Sequence, residues 1–365
     1  MKIVFFIIVS IILQSNYAFT QDTQELKLES YESSYVGITD DNDDELFMDF
    51  KVSVKYPIPF DGLIFNDYLI NPFWLADRFN IIIDTIQYKD TLYEHKYIFD
   101  HKSFFAFTGR FGQYINTRES APVVGKRFNP YFFENFKWTE TLIDREGYIK
   151  GDNSDEDRKF LRSINNTVFS LGFGYAHESN GMDIIDSIAY CNRYLDIQRN
   201  DSTANAQEEV NDYISRGWDY VGVDLEFHKM LDTTLYYSIK SQMKFFLNDG
   251  KFQGLKEEYN SWEKSQRDYN ERGDVNGFNL SFNLSKKFKW AVFSDFYAGV
   301  NIESGIYNWI KPELSPHAEI GVSIFEVPVI VWGEYGYRSD LAQFGKKVNS
   351  FGIACRLSSF SREFF

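Results

Sequence analysis

The segment "YAHESNGMD", residues 175–183, sets a histidine, His177, and a serine, Ser179, two positions apart at the end of an apolar-alternating run. A serine hydroxyl becomes a useful nucleophile when a neutral imidazole takes its proton, and a carboxylate beside the imidazole fixes its tautomer and stabilises the imidazolium. Downstream, "SRGWDYVGVDLEF" puts Asp219 in phase with Val221, Val223, Leu225 and Phe227. The chemistry open to such a trio is acyl transfer, with an ester as the natural target. A His-x-Ser pair alone arises often by chance, so the elements that carry the trio decide its meaning. The other histidines, His95, His101, His228 and His317, are read as surface or lumen residues.

In "NTVFSLGFGYAHES", Phe169, Leu171, Phe173 and Tyr175 form one face of a strand, and His177 and Ser179 continue the same parity. Comparable alternation recurs at 46–57, 79–88, 97–109, 128–138, 166–178, 218–229, 234–247, 276–286, 289–302, 316–326, 327–338 and 347–358. In "FNLSFNLS", for example, Phe278, Leu280, Phe282 and Leu284 oppose Asn279, Ser281, Asn283 and Ser285. Strands of this kind, with one apolar and one polar face and no helix-length apolar run, predict an all-β fold: an antiparallel transmembrane β-barrel of about 12 strands. A soluble β-sandwich is the competing reading. In a barrel, the strand ending near 178 and the strand starting near 218 bring His177, Ser179 and Asp219 to one end and one outer face.

The expected organisation is a secretion signal over 1–20, an acidic exposed lead-in over 21–45 and the barrel over 46–365. The signal reading rests on Lys2, an apolar core from Ile3 to Leu13 and Ala18 near its end. That core is short beside the roughly 20 apolar residues a spanning helix needs. The most polar interruption, 182–214, is expected to be a water-facing loop inserted at the outer end. A net charge of -15 with no basic stripe argues against a nucleic-acid partner, and two cysteines without metal-type spacing argue against a disulfide framework or a cysteine metal site.

"HESNG" at 177–181 and "SRGWD" at 215–219, preceded by "ESAP" at 119–122 and "NPYFF" at 129–133, resemble the motifs of the outer membrane phospholipase A family. The resemblance is carried by residues 100–230 and is architectural elsewhere. It implies a twelve-stranded barrel in the bacterial outer membrane that hydrolyses phospholipid acyl esters and is active as a homodimer. Ser179 would be the nucleophile, His177 the general base and then acid, and Asp219 the orienting third member, where the enterobacterial pattern has Asn. Gly181 would contribute a backbone N–H to the oxyanion hole. A calcium ion, Ca2+, would be held by Ser120, the carbonyl of Met182 and Ser215. Outside the resemblance, Asp249 in the next outer loop is read as an added acid ligand.

The chain departs from that family in the long segment between its two motifs, which puts the Met182 carbonyl at risk of being carried away from Ser215. Two other readings stay open on the sequence. One is a non-catalytic outer-membrane channel, or porin, passing small solutes. The other is a lipid A deacylase, whose pattern does not call for "ESAP" or "SRGWD".

Overall fold

The computed structural model describes residues 28–41, 45–58, 81–88, 91–115, 124–144, 167–182, 184, 187–200, 206–211, 213–231, 234–247, 250–252, 276–288, 290, 292–305, 313–337, 341 and 347–358. The expected secretion signal at 1–20, Ser120 and Asp249 lie outside the described residues.

Alternating sequence becomes one antiparallel sheet of fourteen strands. They are β1 (Glu29–Ser30), β2 (Tyr35–Asp41), β3 (Glu45–Pro57), β4 (Ile81–Tyr88), β5 (Thr91–Ile115), β6 (Val124–Asp144), β7 (Thr167–Ser179), β8 (Gly217–Met230), β9 (Leu235–Phe246), β10 (Phe278–Lys287), β11 (Phe293–Ser304), β12 (Ser315–Ile324), β13 (Val327–Tyr337) and β14 (Lys347–Arg356). From β5 to β14 each strand pairs with the next, β14 pairs with β2, and β2 pairs with β3. The circle closes where Leu46–Pro57 of β3 meets Phe104–Ile115 of β5. β1 and β4 stand outside it: β1 pairs with Val54 and Lys55, and β4 with the Thr91–Tyr97 overhang of β5. Twelve strands therefore make the closed barrel.

Closure satisfies the backbone within the sheet and leaves no ring edge, which is what a hydrocarbon surround demands. Along β7, Ser170, Ala176 and Glu178 are buried, while Phe169, Leu171 and Phe173 face outward. The outer surface carries Phe132, Leu225, Ile239, Phe282, Ile320, Val331 and Phe351, all exposed. Such a continuous apolar belt suits lipid rather than water. Among the described residues no helix is long and apolar enough to cross a membrane; the chain crosses with strands.

Inside, lumen-facing Phe104, Tyr131, Phe133, Ala176 and Tyr220 pack into a layer. The break between β1 and β2 sends Tyr31 into the same layer, against Tyr131 and Phe133 with ring centroids at 6.2 and 5.6 Å. The lumen also holds a cavity of 1080 Å³ whose walls include Lys240, Glu226, Arg127 and Glu303. Its charges are paired, as buried ions must be: Arg110 with Asp49 at 2.7 Å and Arg356 with Glu319 at 2.6 Å.

Several expectations shift. Tyr35–Asp41, within the segment read as lead-in, is a ring strand, β2, held between β3 and β14. The run at 79–88 does form a strand, but it is an outlying one. The insertion at 182–214 contains two helices, α1 (Ser187–Asn200) and α2 (Ala206–Asn211), where a bare loop is expected. They share a small core of Ile184, Ile197, Ala206, Val210, Tyr213 and Ile214. Cys191 and Cys355 are both free.

Candidate functional site at the barrel rim

The register between β7 and β8 assembles the site. His177 lies directly across from Asp219, and Ser179 directly across from Gly217. Period two then puts all four positions on the outward face, at the end of the barrel where β7 stops and β8 starts. The imidazole Nδ1–H donates to Asp219 Oδ1 at 2.6 Å, an assignment made from the partner, since a carboxylate can only accept. That tautomer leaves Nε2 as the basic nitrogen.

Gly217 shows where Nε2 points. A Cβ at this position would sit 3.2 Å from His177 Cε1 and 3.4 Å from Nε2. The ring thus leans from the 177/219 row toward the 179/217 row, which carries Ser179. Beneath the rim, on the lumen face of the same strand, buried Glu178 is held by Arg127 and Lys244, each at 3.4 Å.

Asp219 is fully buried although it has outward parity. The chain following β9 folds over it. Phe252 N–H donates to Asp219 Oδ2 at 2.7 Å, and Tyr175 Oη–H donates to the same oxygen. Sequence reasoning missed both groups. Tyr175 sits two residues before His177 on the same face, which was a usable signal; Phe252 is brought in by tertiary folding and had none.

The insertion leaves the two motifs joined. The Asn180 side chain donates through Nδ2 to Ile214 O at 2.6 Å and accepts the Arg216 N–H at 2.9 Å. Asn180 N–H donates to Arg216 O at 3.1 Å, and Ser215 N–H donates to Ile184 O at 2.8 Å. Met182 and Ser215 therefore belong to one closed stem, so the length of 182–214 does not part them. Gly181, exposed, has φ +67°, a left-handed conformation that glycine adopts without strain. Its own Cβ would meet the Phe128 ring at 3.3 Å.

The reading of His101 as a surface or lumen residue with no serine two positions on is corrected, since Ser103 makes a second His-x-Ser. His101 Nε2 lies 2.7 Å from Glu134 Oε2, and Ser103 Oγ–H donates to both Glu134 oxygens at 2.8 Å. By parity with Phe105 and Phe132 this cluster also faces outward. Among the described residues there is no group of three or more His, Cys, Asp or Glu able to hold a metal. From these described residues a cation at the rim would find hydroxyl and carbonyl oxygens, which suit a hard ion such as calcium.

Ring and rim together define the class: a twelve-stranded antiparallel barrel that crosses the membrane with strands and carries a histidine–carboxylate pair on its outer face. No protein-family model matches the chain, and no curated protein matches it. Among solved structures, the chain is similar to outer membrane phospholipase A from Escherichia coli, at 12% identity over 91% of this chain and 94% of that one, with a TM-score of 0.48. It is also similar to a Salmonella typhi outer membrane phospholipase, described as a dimer with bound calcium, at 11% identity over 93% and 95% of the two chains and a TM-score of 0.46. A Rh. blastica porin mutant aligns at 7% identity over 91% and 100% of the chains, with a TM-score of 0.27.

Proposed function

We propose that this protein is a serine esterase of the bacterial outer membrane, a phospholipase A hydrolysing fatty-acyl esters of phospholipids at the membrane surface. The observation that carries the reading is the 2.6 Å contact between His177 and Asp219 on the lipid-facing rim, with the imidazole leaning toward the Ser179 row. A substrate acyl chain would lie along the apolar exterior and present its ester at the rim. Ser179 attacks the ester carbonyl while His177 Nε2 accepts the hydroxyl proton. Asp219 holds the imidazolium, and the proton then passes to the leaving alcohol as the acyl-enzyme forms. A water activated by the same histidine returns the free fatty acid.

Gly181 supplies a backbone N–H to the oxyanion, a donor of the type whose removal costs roughly 3–4 kcal/mol of transition-state stabilisation. Calcium would be held by Ser215, the Met182 carbonyl, Ser120 and Asp249, and would add positive charge beside the oxyanion. The closed stem supports the first two ligands. Export by the 1–20 signal, read from the sequence, and activity as a homodimer, implied by the family resemblance, complete the reading. Against a channel stands the histidine–carboxylate pair on the outer face, which a pore has no reason to carry there.

The test is hydrolysis of phospholipid micelles by the refolded barrel with calcium and with a chelator, beside Ser179→Ala and His177→Ala. Each substitution is expected to lower kcat by about a thousandfold or more, and the chelator to suppress the wild type. Equal activity in all samples overturns the proposal.

A further inference from the structure

A carboxylate has two acceptor oxygens, and one buried at a lipid-facing surface needs donors for both. The histidine serves only Oδ1 of Asp219. Oδ2 is served from outside the trio, by Tyr175 Oη–H and by Phe252 N–H at 2.7 Å. These two donors are themselves linked, since Lys251 N–H donates to Tyr175 Oη at 2.9 Å. Gly250 makes the approach possible: any Cβ there would lie 2.1 Å from Asp219 Oδ2 and 2.2 Å from its Cβ. The Phe252 ring then stands edge-on to the imidazole, 6.3 Å between centroids, and is 65% exposed beside it.

We infer that Gly250–Phe252 and Tyr175 form a cradle that positions Asp219. By holding Oδ2 from two directions it fixes the carboxylate plane, so that Oδ1 meets His177 Nδ1 and Nε2 is turned toward Ser179. The cradle also keeps lipid and water from the acid. Tyr175 and the 250–252 backbone are positioning groups, acting through Asp219 without touching substrate. The inference rests on the catalytic reading of the trio.

The experiment uses the full-length refolded barrel, with its folding checked by heat-dependent gel mobility, in four forms: wild type, Tyr175→Phe, Asp219→Ala and the double variant. Phe252→Pro, which removes the backbone donor, is run alongside. Tyr175→Phe and Phe252→Pro are expected to lower kcat at least about tenfold, with KM within about twofold, as a misaimed base should. They should also shift or broaden the imidazole N–H proton resonance. In the Asp219→Ala background, Tyr175→Phe is expected to have no further effect, because its route to the histidine is gone. A Tyr175→Phe barrel that folds and keeps wild-type kcat overturns the cradle, and so does an equal loss with and without Asp219. Failure of the catalytic reading is told apart by Ser179→Ala: full activity there removes the trio itself, whatever the cradle does.

Discussion

At the rim, the carboxylate lies across the strand pair from the histidine, His177 facing Asp219 and Ser179 facing Gly217. Deeper in the belt, the carboxylate lies across from the serine, Ser103 facing Glu134 and His101 facing Phe136. Residue types, His-x-Ser spacing and outward parity are shared. In the rim cluster the acid engages Nδ1, and the basic nitrogen leans toward the row of Gly217 and Ser179. In the deeper cluster the serine hydroxyl is spent on Glu134 at 2.8 Å, and His101 Nε2, the atom that would accept its proton, meets the same carboxylate at 2.7 Å. His101 also stacks on Phe136 with centroids 4.6 Å apart, and Glu134 pairs with Phe173 of β7, well below the rim. Register between strands, which spacing along one strand does not encode, separates a candidate nucleophile from a satisfied polar knot.

The sharpest way to break this contrast is to remove each serine. Ser179→Ala is expected to cost about a thousandfold or more in kcat. Ser103→Ala should stay within about twofold of wild type, because it stands outside the reacting unit and removes no interaction made in the transition state. A rate that follows Ser103 in micelle assays would reverse the assignment. Next in size, Asp219→Ala should lose less than Ser179→Ala, by about tenfold or more, since an orienting acid is partly dispensable. An unchanged rate would place the third member elsewhere. Gly217→Ala should follow, with about a tenfold loss in kcat, because its methyl would stand 3.2 Å from His177 Cε1 and from Glu178 O. Unchanged gel mobility would show that the barrel itself is intact. Smallest for the rate is Glu134→Ala, which should leave hydrolysis unaltered. It should lower stability to urea in micelles by about 1–3 kcal/mol, because buried Ser103 and half-buried His101 lose their partner.

Much of the barrel was legible because lipid outside and a polar lumen inside impose period two, and Phe169 to Tyr175 or Phe278 to Leu284 display it without interruption. Tyr35–Asp41 hid because its run is short and ends in "DDNDDE", which reads as solvent-exposed chain. The 79–88 run carried a true strand signal, yet whether a strand joins the ring depends on pairing with β5, and β3 takes that place. Helix α1 had a signal of its own: Tyr190, Arg193, Tyr194 and Ile197, at i, i+3, i+4 and i+7, form its inward side. At the site, parity along each strand was enough to put His177, Ser179 and Asp219 on one face. Which of them stand opposite one another came only from the register of β7 on β8. The 250–252 approach to Asp219 was illegible because it arises only when a loop folds back across two strands.

Asn180 does more than hold a stem. With its amide fastened to Ile214 and Arg216, the ends of the intervening segment are tied whatever shape that segment adopts. Closing a flexible loop costs free energy that rises only with the logarithm of its length, by about 0.6 kcal/mol per doubling. Chain added or removed above the amide thus changes little beneath it. Sequence spliced between these two tied ends is therefore expected to leave the residues below in their places.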